Sequence, residues 1–272
     1  MSPQKAIIIG ISGCSSSGKT TLARLLRDIF PNTFILHEDD FYRPESELPT
    51  KHGLLDWDCP ESLDLPLLQR ALLHIRSTGT FPDFISSKED QNSVGSLPPT
   101  ITPSLISHLE STIPSDFKTP ICVLDGFLLY THAHPLFTQV LDLLDIKLFL
   151  LATKEFALKR RQNRDGYVTL EGFWTDPPGY VEKIVWPNYV EYHKWLFSEN
   201  ERNAEVGKVD IEIAKEAGIS VQPWGEEGEG KNEDDDGVSV SSVGFDKVLG
   251  WAVGEVVRGV KEKEREAEER SL

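Results

Sequence analysis

Apolar residues fall into two alternating patterns along the chain. Short, unbroken, largely β-branched runs occupy residues 6–9 (AIII), 33–37 (TFILH), 121–124 (ICVL), 146–151 (IKLFLL) and 219–222 (ISVQ). Between them, apolar positions recur every three or four residues, as in Leu22, Leu25, Leu26 and Ile29, or Leu63, Leu67, Leu68, Leu72 and Ile75. Runs without polar alternation belong to strands buried on both faces; the 3.6-residue period belongs to helices that bury one stripe. Their alternation predicts an α/β chain, a doubly wound parallel sheet of about five strands, and leaves the strand order open. Ser62 is the expected cap of the second helix, Pro66 suits its first turn and Gly79 stops it.

Further helices are expected over residues 135–144, 155–163 and 180–197, the last bent or restarted at Pro187. Residues 245–260 set Val248, Leu249, Ala252, Val256 and Val257 on one face, a helix packing back on the domain. Residues 83–118 are rich in Ser, Pro and Thr and read as an insertion outside the core, with one short helix near 103–109. The low-complexity acidic stretch 225–237 (GEEGEGKNEDDDG) cannot bury a core and is expected to be disordered, and residues 261–270 read as a solvated, charge-laced tail. The organisation expected is a main domain over 1–224, an acidic linker over 225–243 and a C-terminal helix over 244–272.

Composition narrows the class. No apolar run approaches the ~18 residues of a membrane span. The three cysteines, Cys14, Cys59 and Cys122, form no C-x-x-C, which suits a reducing cytosol or nucleus and argues against zinc. The net charge is −16; residues 201–272 hold 19 acids against 10 bases, a balance of −9, and −7 remains for the first 200 residues. Nucleic acid is therefore disfavoured as a partner, and any bound anion must be held by local donors.

Such donors are encoded directly after the first strand. Gly13-Cys14-Ser15-Ser16-Ser17-Gly18-Lys19-Thr20 fits G-x-x-x-x-G-K-[ST] at every fixed position, between a strand and a helix. In that context backbone N–H groups cradle phosphates, Lys19 reaches the β- and γ-phosphates, and the Thr20 hydroxyl serves Mg²⁺. The chain is read as binding a nucleoside triphosphate through Gly13 to Thr20 and Thr21. A second candidate element, His37-Glu38-Asp39-Asp40-Phe41-Tyr42, follows strand two, at the carboxyl end where open sheets bind ligands. A guanine-reading N-K-x-D is missing, which disfavours a GTPase. A carboxylate after strand two, a helix carrying Lys159, Arg160 and Arg161, and a Gly/Pro/aromatic lid over 162–178 instead suit a small-molecule kinase. A pyrimidine nucleoside kinase and a non-catalytic nucleotide-binding protein are the alternatives.

The blocks HEDDFYRPESELP, LDWDCPESLD, VLDGFLLY and LKRRQNRDGYVTLEGFWTDPPGYVEKIVWPNY, with the phosphate loop, resemble the nicotinamide riboside kinases, the fungal form in particular. Uridine kinases are their wider relatives. The resemblance implies a P-loop nucleoside kinase fold with a helical lid. It also implies phosphorylation of the ribose 5′-hydroxyl of nicotinamide riboside or nicotinic acid riboside, with ATP and Mg²⁺; apart from the resemblance, a monomer is expected. It carries Asp39 over as the proton acceptor and, with Thr20, as a metal ligand, Asp125 acting through water. Asp39, Asp40, Phe41, Tyr42, Trp57, Asp58, Arg161 and Tyr167 would line the nucleoside. Arg160, Arg164, Asp165 and Gly166 would serve the ATP side and lid. The chain departs from the vertebrate pattern in an extra residue between Arg164 and Tyr167, in Trp57 for Tyr, and in Asp125 for Glu. A pyridinium has few hydrogen-bonding groups, so the faces of Trp57 and Tyr167 suit it through cation–π attraction of roughly 1–2 kcal/mol when desolvated.

Overall fold

The computed structural model describes residues 5–87, 97–163, 166–169, 172–197, 208–223 and 243–271. Strand β1 (Ile7–Gly13) leads through the glycine loop into helix α1 (Lys19–Ile29), and β2 (Thr33–His37) follows after Asn32, which has φ +55°. A small hairpin, β3 (Thr50–Lys51) and β4 (Leu54–Leu55), precedes α2 (Leu65–Thr78). Then come α3 (Pro103–Glu110), β5 (Ile121–Asp125), α4 (Pro135–Asp142), β6 (Ile146–Leu150) and α5 (Lys154–Gln162). Strands β7 (Tyr167–Thr169) and β8 (Gly172–Trp174) form a second hairpin before α6 (Trp186–His193). Helix α7 (Ile211–Glu216), β9 (Ile219–Val221) and α8 (Phe245–Ser271) complete the chain.

The main sheet has five parallel strands in the order β2-β5-β1-β6-β9. Alternation along β1 divides the core. Ile7, Ile9 and Ile11 face α1 and α8, while Ala6 and Ile8 join the opposite cluster built from α2, α4 and α6. Burial on both faces is why these strands read as continuous apolar runs. The order places β1 centrally, so the carboxyl ends of β2, β5, β1 and β6 converge on the glycine loop.

Several local expectations change. The cap of α2 is Asp64, whose carboxylate accepts from Leu67 N at 3.0 Å; Ser62 instead donates to the carbonyls of Trp57 and Cys59. The helical stretch before α6 begins as a π-turn over Val181–Val185 and passes through helical Val185 and Trp186 directly into α6, so Pro187 sits where the π-turn gives way to the α-helix. Helix α8 continues without a break through the charged tail, which contains the ion pairs Lys263–Glu266 and Arg265–Glu269. Within 83–118, Leu109 is buried, and Ile101, Leu105, Ile106, Ile113 and Phe117 pack on the α1–α8 side of the core. Of the stretch 162–178, expected as a helical lid, only Gln162 belongs to a helix, the end of α5, and the paired strands β7 and β8 fall within the rest. The acidic stretch 225–237 lies outside the described residues. Cys14, Cys59 and Cys122 are buried and free, and no helix among the described residues is long and apolar enough to cross a membrane.

Candidate active site

The phosphate loop is closed by its own backbone, with Ser17 N donating to Cys14 O at 3.2 Å and Ser16 held at φ +62°. Lys19 is only 8% exposed, and its ammonium donates to the Cys14 carbonyl at 2.9 Å, so the cation is already folded over the loop. The buried Ser17 hydroxyl has no hydrogen-bond partner among the described residues, as suits a loop built to receive oxygens. Burial pushes the Cys14 thiol up to about 11, so the residue acts as a small apolar wall.

The acidic half stands beside it. Parallel register sets His37 opposite Asp125 at the ends of β2 and β5. Asp125 accepts from the Thr20 hydroxyl at 2.6 Å and lies 3.3 Å from His37 Nδ1. Burial pushes its carboxyl up, but His37, Lys19 and Thr20 outweigh this and hold it below the usual range. A hydroxyl and an ionised carboxylate in direct contact are hard oxygen donors. Among the described residues no group of three or more His, Cys, Asp or Glu could hold a metal. That combination suits Mg²⁺, which takes few protein ligands and completes its shell with phosphates and water. Asp39 sits partly exposed in the 3₁₀ turn Glu38–Phe41, directly after β2, and Asp40 and Phe41 are buried beside it.

The nucleoside half is aromatic and acidic. Trp57 is 6% exposed, with Tyr42 edge-on at 5.1 Å and Trp174 tilted at 5.5 Å between ring centroids. Tyr42 also stacks on Phe127 at 6.2 Å. The Tyr180 hydroxyl accepts from Trp57 N and donates to Asp58, both at 3.0 Å. Burial raises the Asp58 carboxyl, and Arg161 and Tyr180 offset this only in part. Asn188 donates to both carboxylate oxygens of Asp56, which locks the 56–58 turn.

Arg161 joins the halves. Its fork pairs with Asp176 at 2.8 and 3.1 Å, its Nη1 donates to the Ser15 hydroxyl at 2.6 Å, and Asp58 lies 3.7 Å away. Arg160 instead reaches the carbonyl of Ser16 at 3.5 Å, on the loop side. The structure therefore gathers the loop, Thr20, Asp125, Asp58 and Arg161 into one cleft, with Asp39 at the end of β2. Gly166 precedes β7, and of Tyr167 only the backbone is described, paired with Trp174. Arg164 and Asp165 lie outside the described residues. Sequence reasoning passed over Glu38, Asp176, Trp174 and Tyr180. The run TDPPGY, with Asp176 and Tyr180 beside a Pro pair, was the available signal for two of them.

A family model described as phosphoribulokinase / uridine kinase matches residues 8–207. The chain belongs to this family. Within the phosphoribulokinase/uridine kinase family it is 36% identical over 227 residues to the nicotinamide riboside kinase of Schizosaccharomyces pombe, covering 80% of this chain and 93% of that one. It is 36% identical over 204 residues to the nicotinamide riboside kinase of Saccharomyces cerevisiae, covering 72% and 81%. Human nicotinamide riboside kinase 1 is 29% identical over 191 residues, covering 70% and 78%. Membership in the family makes the chain a kinase, with ATP as the implied donor and a small molecule as acceptor.

Proposed function

We propose that the protein is an ATP-dependent nicotinamide riboside kinase that phosphorylates the ribose 5′-hydroxyl, with nicotinic acid riboside as a second acceptor. The observation that carries this reading is the similarity to the Schizosaccharomyces pombe kinase, which spans nearly the whole of that relative.

The chemistry follows from the residues present. The phosphate loop and Lys19 hold the β- and γ-phosphates and draw off charge as it builds on the transferring group. Thr20, Asp125 and Asp39 would hold Mg²⁺, which when bound neutralises phosphate charge. Asp39 takes the proton of the 5′-hydroxyl as its oxygen bonds to the γ-phosphorus and the bond to the bridging oxygen of ADP breaks. Asp58 accepts from, and Arg161 donates to, the ribose hydroxyls, and both are fixed beforehand by Tyr180 and Asp176, which limits the ordering cost of binding. The Tyr42–Trp57–Trp174 cluster offers π faces, and buried Asp58 adds negative potential, which together favour a pyridinium over a neutral pyrimidine.

A nucleoside panel tests it: nicotinamide riboside, nicotinic acid riboside, uridine and cytidine, each with ATP and Mg²⁺, followed by ADP formation and product mass. The pyridine nucleosides should be turned over with the highest kcat/KM. Preferred turnover of uridine or cytidine would overturn the substrate assignment while leaving the kinase family intact.

A further inference from the structure

Glu38 is fully buried between the two strand ends that carry the acidic half of the site. Its Oε2 accepts from Phe127 N at 2.7 Å and from Leu128 N at 3.1 Å, the amides that follow Asp125 and Gly126. Its Oε1 is buried with no hydrogen-bond partner among the described residues. The fit is close: a β-carbon on Gly126 would stand 2.6 Å from Oε2 and 2.8 Å from the Glu38 β-carbon, so only glycine passes this point.

One carboxyl oxygen thus satisfies two backbone donors just past the end of β5, one buried and one partly buried, where the strand ladder no longer reaches. The residue after Glu38 is Asp39; the residue before Gly126 is Asp125. We propose that Glu38 is a positioning residue that fixes the span between Asp39 and Asp125, and through Phe127 also seats the ring on which Tyr42 stacks. This rests on the reading of Asp39 as base and metal ligand. What does the work is an acceptor oxygen at this place, because the groups it serves are two N–H donors. Loss of that acceptor would leave both amides without a partner, the Leu128 N–H in a buried place, and the 126–128 backbone would move to find water. Outer partners of this kind typically govern metal affinity or activity by about 10- to 100-fold.

The test uses the full chain with three variants. Glu38→Gln keeps an acceptor oxygen and the shape, Glu38→Leu keeps the bulk without the acceptor, and Gly126→Ala displaces the carboxylate by contact. Thermal melts, kcat with nicotinamide riboside, and calorimetric binding of ADP with and without Mg²⁺ are read for each. E38Q should stay within about threefold of wild type. E38L and G126A should lose about tenfold or more in kcat and in the gain of ADP affinity that Mg²⁺ confers, with nucleotide binding in EDTA unchanged. If E38L does not fold, G126A carries the same prediction. Folded E38L or G126A with wild-type kcat and Mg²⁺ response would overturn the proposal, as would E38Q as damaged as E38L. Asp39→Asn is measured beside them. If D39N keeps full kcat, the base reading falls and this one with it; if D39N is inactive while E38L is normal, only the role of Glu38 falls.

Discussion

The ring of Phe245, the first residue of α8, lies 3.1 Å from where a β-carbon on Gly18 would stand, at the exit of the phosphate loop. Gly18 has φ +102°, a conformation that favours glycine, and it is the residue on which α1 begins. Helix α8 is held down by buried Val248, Leu249, Ala252, Val253, Val256 and Val260, so the ring presses on the loop from a fixed base. Phe245→Ala should remove about 1 kcal/mol of loop support, equivalent to about a fivefold rise in KM for ATP. The nucleoside KM should stay unchanged. Equal ATP KM values in F245A and wild type would mean that α8 only closes the core.

Arg161 has its fork turned toward Asp176 inside the protein, and Asp176 also accepts from the indole N–H of Trp174 at 3.1 Å. Breaking a buried pair by removing one partner typically costs about 3–5 kcal/mol. Asp58 at 3.7 Å shares the Arg161 charge, which puts Asp176→Ala at the lower end of that range. We expect a lower melting temperature and a nucleoside KM raised by at least about tenfold, because Arg161 and Trp174 lose their anchor together. Arg161→Lys keeps the charge but loses the fork, and should raise the nucleoside KM as well. Steady-state kinetics at saturating ATP check both; an unchanged nucleoside KM in D176A would remove the anchor from the binding site.

Much of this was legible in the chain. The five main strands and the phosphate loop came from unbroken apolar runs and fixed glycine spacing, because burial on both faces and phosphate binding leave strong one-dimensional traces. Strand order left none, since every strand is equally apolar and only the crossovers decide which neighbours which. Arg161 was singled out by the resemblance and not by its charge, which Lys159 and Arg160 share, and its partner Asp176 was not singled out at all, because it lies 15 residues away across a hairpin. Glu38 was hidden by its neighbours: in a run of three acids, nothing in the sequence says that one is buried against backbone amides while the next is partly exposed. The cap at Asp64 shows the same limit on a smaller scale. Ser62 and Asp64 both precede the helix, and the carbonyls of Trp57 and Cys59, in the turn just before it, claim the serine.

His193 gives the fold a definite acid response. Its imidazole is fully buried beside Phe149 and Tyr189; Nδ1 lies 3.0 Å from the Tyr189 carbonyl, and Nε2 has no partner among the described residues. Burial pulls its pKa from 6.5 to about 4, with the nearby Lys19 charge acting in the same direction. The folded state therefore refuses a proton that the unfolded chain accepts, so stability from this group is full above pH 6.5 and is lost progressively as pH falls toward 4. The loss is on the order of 3 kcal/mol. Melting curves from pH 7 to 4 should show a shallower decline for His193→Phe than for wild type. Parallel slopes would place the acid sensitivity elsewhere.

Asp39 and Trp57 should fail in different ways. An ionised carboxylate can take the proton of the 5′-hydroxyl as the bond to phosphorus forms, and an amide of the same shape cannot. Phosphoryl transfer has a loose transition state, so the loss of the base alone is modest; loss of a metal ligand adds to it. Asp39→Asn should depress kcat by ~2–4 decades with little change in the melt. Trp57 lies under Tyr42 and Trp174 and is nearly closed off, so Trp57→Ala would open a cavity and cost ~3–5 kcal/mol of stability, which would confuse the kinetic result. Trp57→Phe keeps most of the packing and reduces the π face. It should raise the KM for nicotinamide riboside with kcat nearly intact, the sign of binding shared by ground and transition states. It should also narrow the preference for the pyridinium over uridine, because a phenyl ring attracts a cation less strongly than an indole. Near-full kcat in D39N would move the base to Asp40 or Asp125. Unchanged nicotinamide riboside KM and selectivity in W57F would mean that the indole packs the cleft wall and the pyridinium is read by other rings.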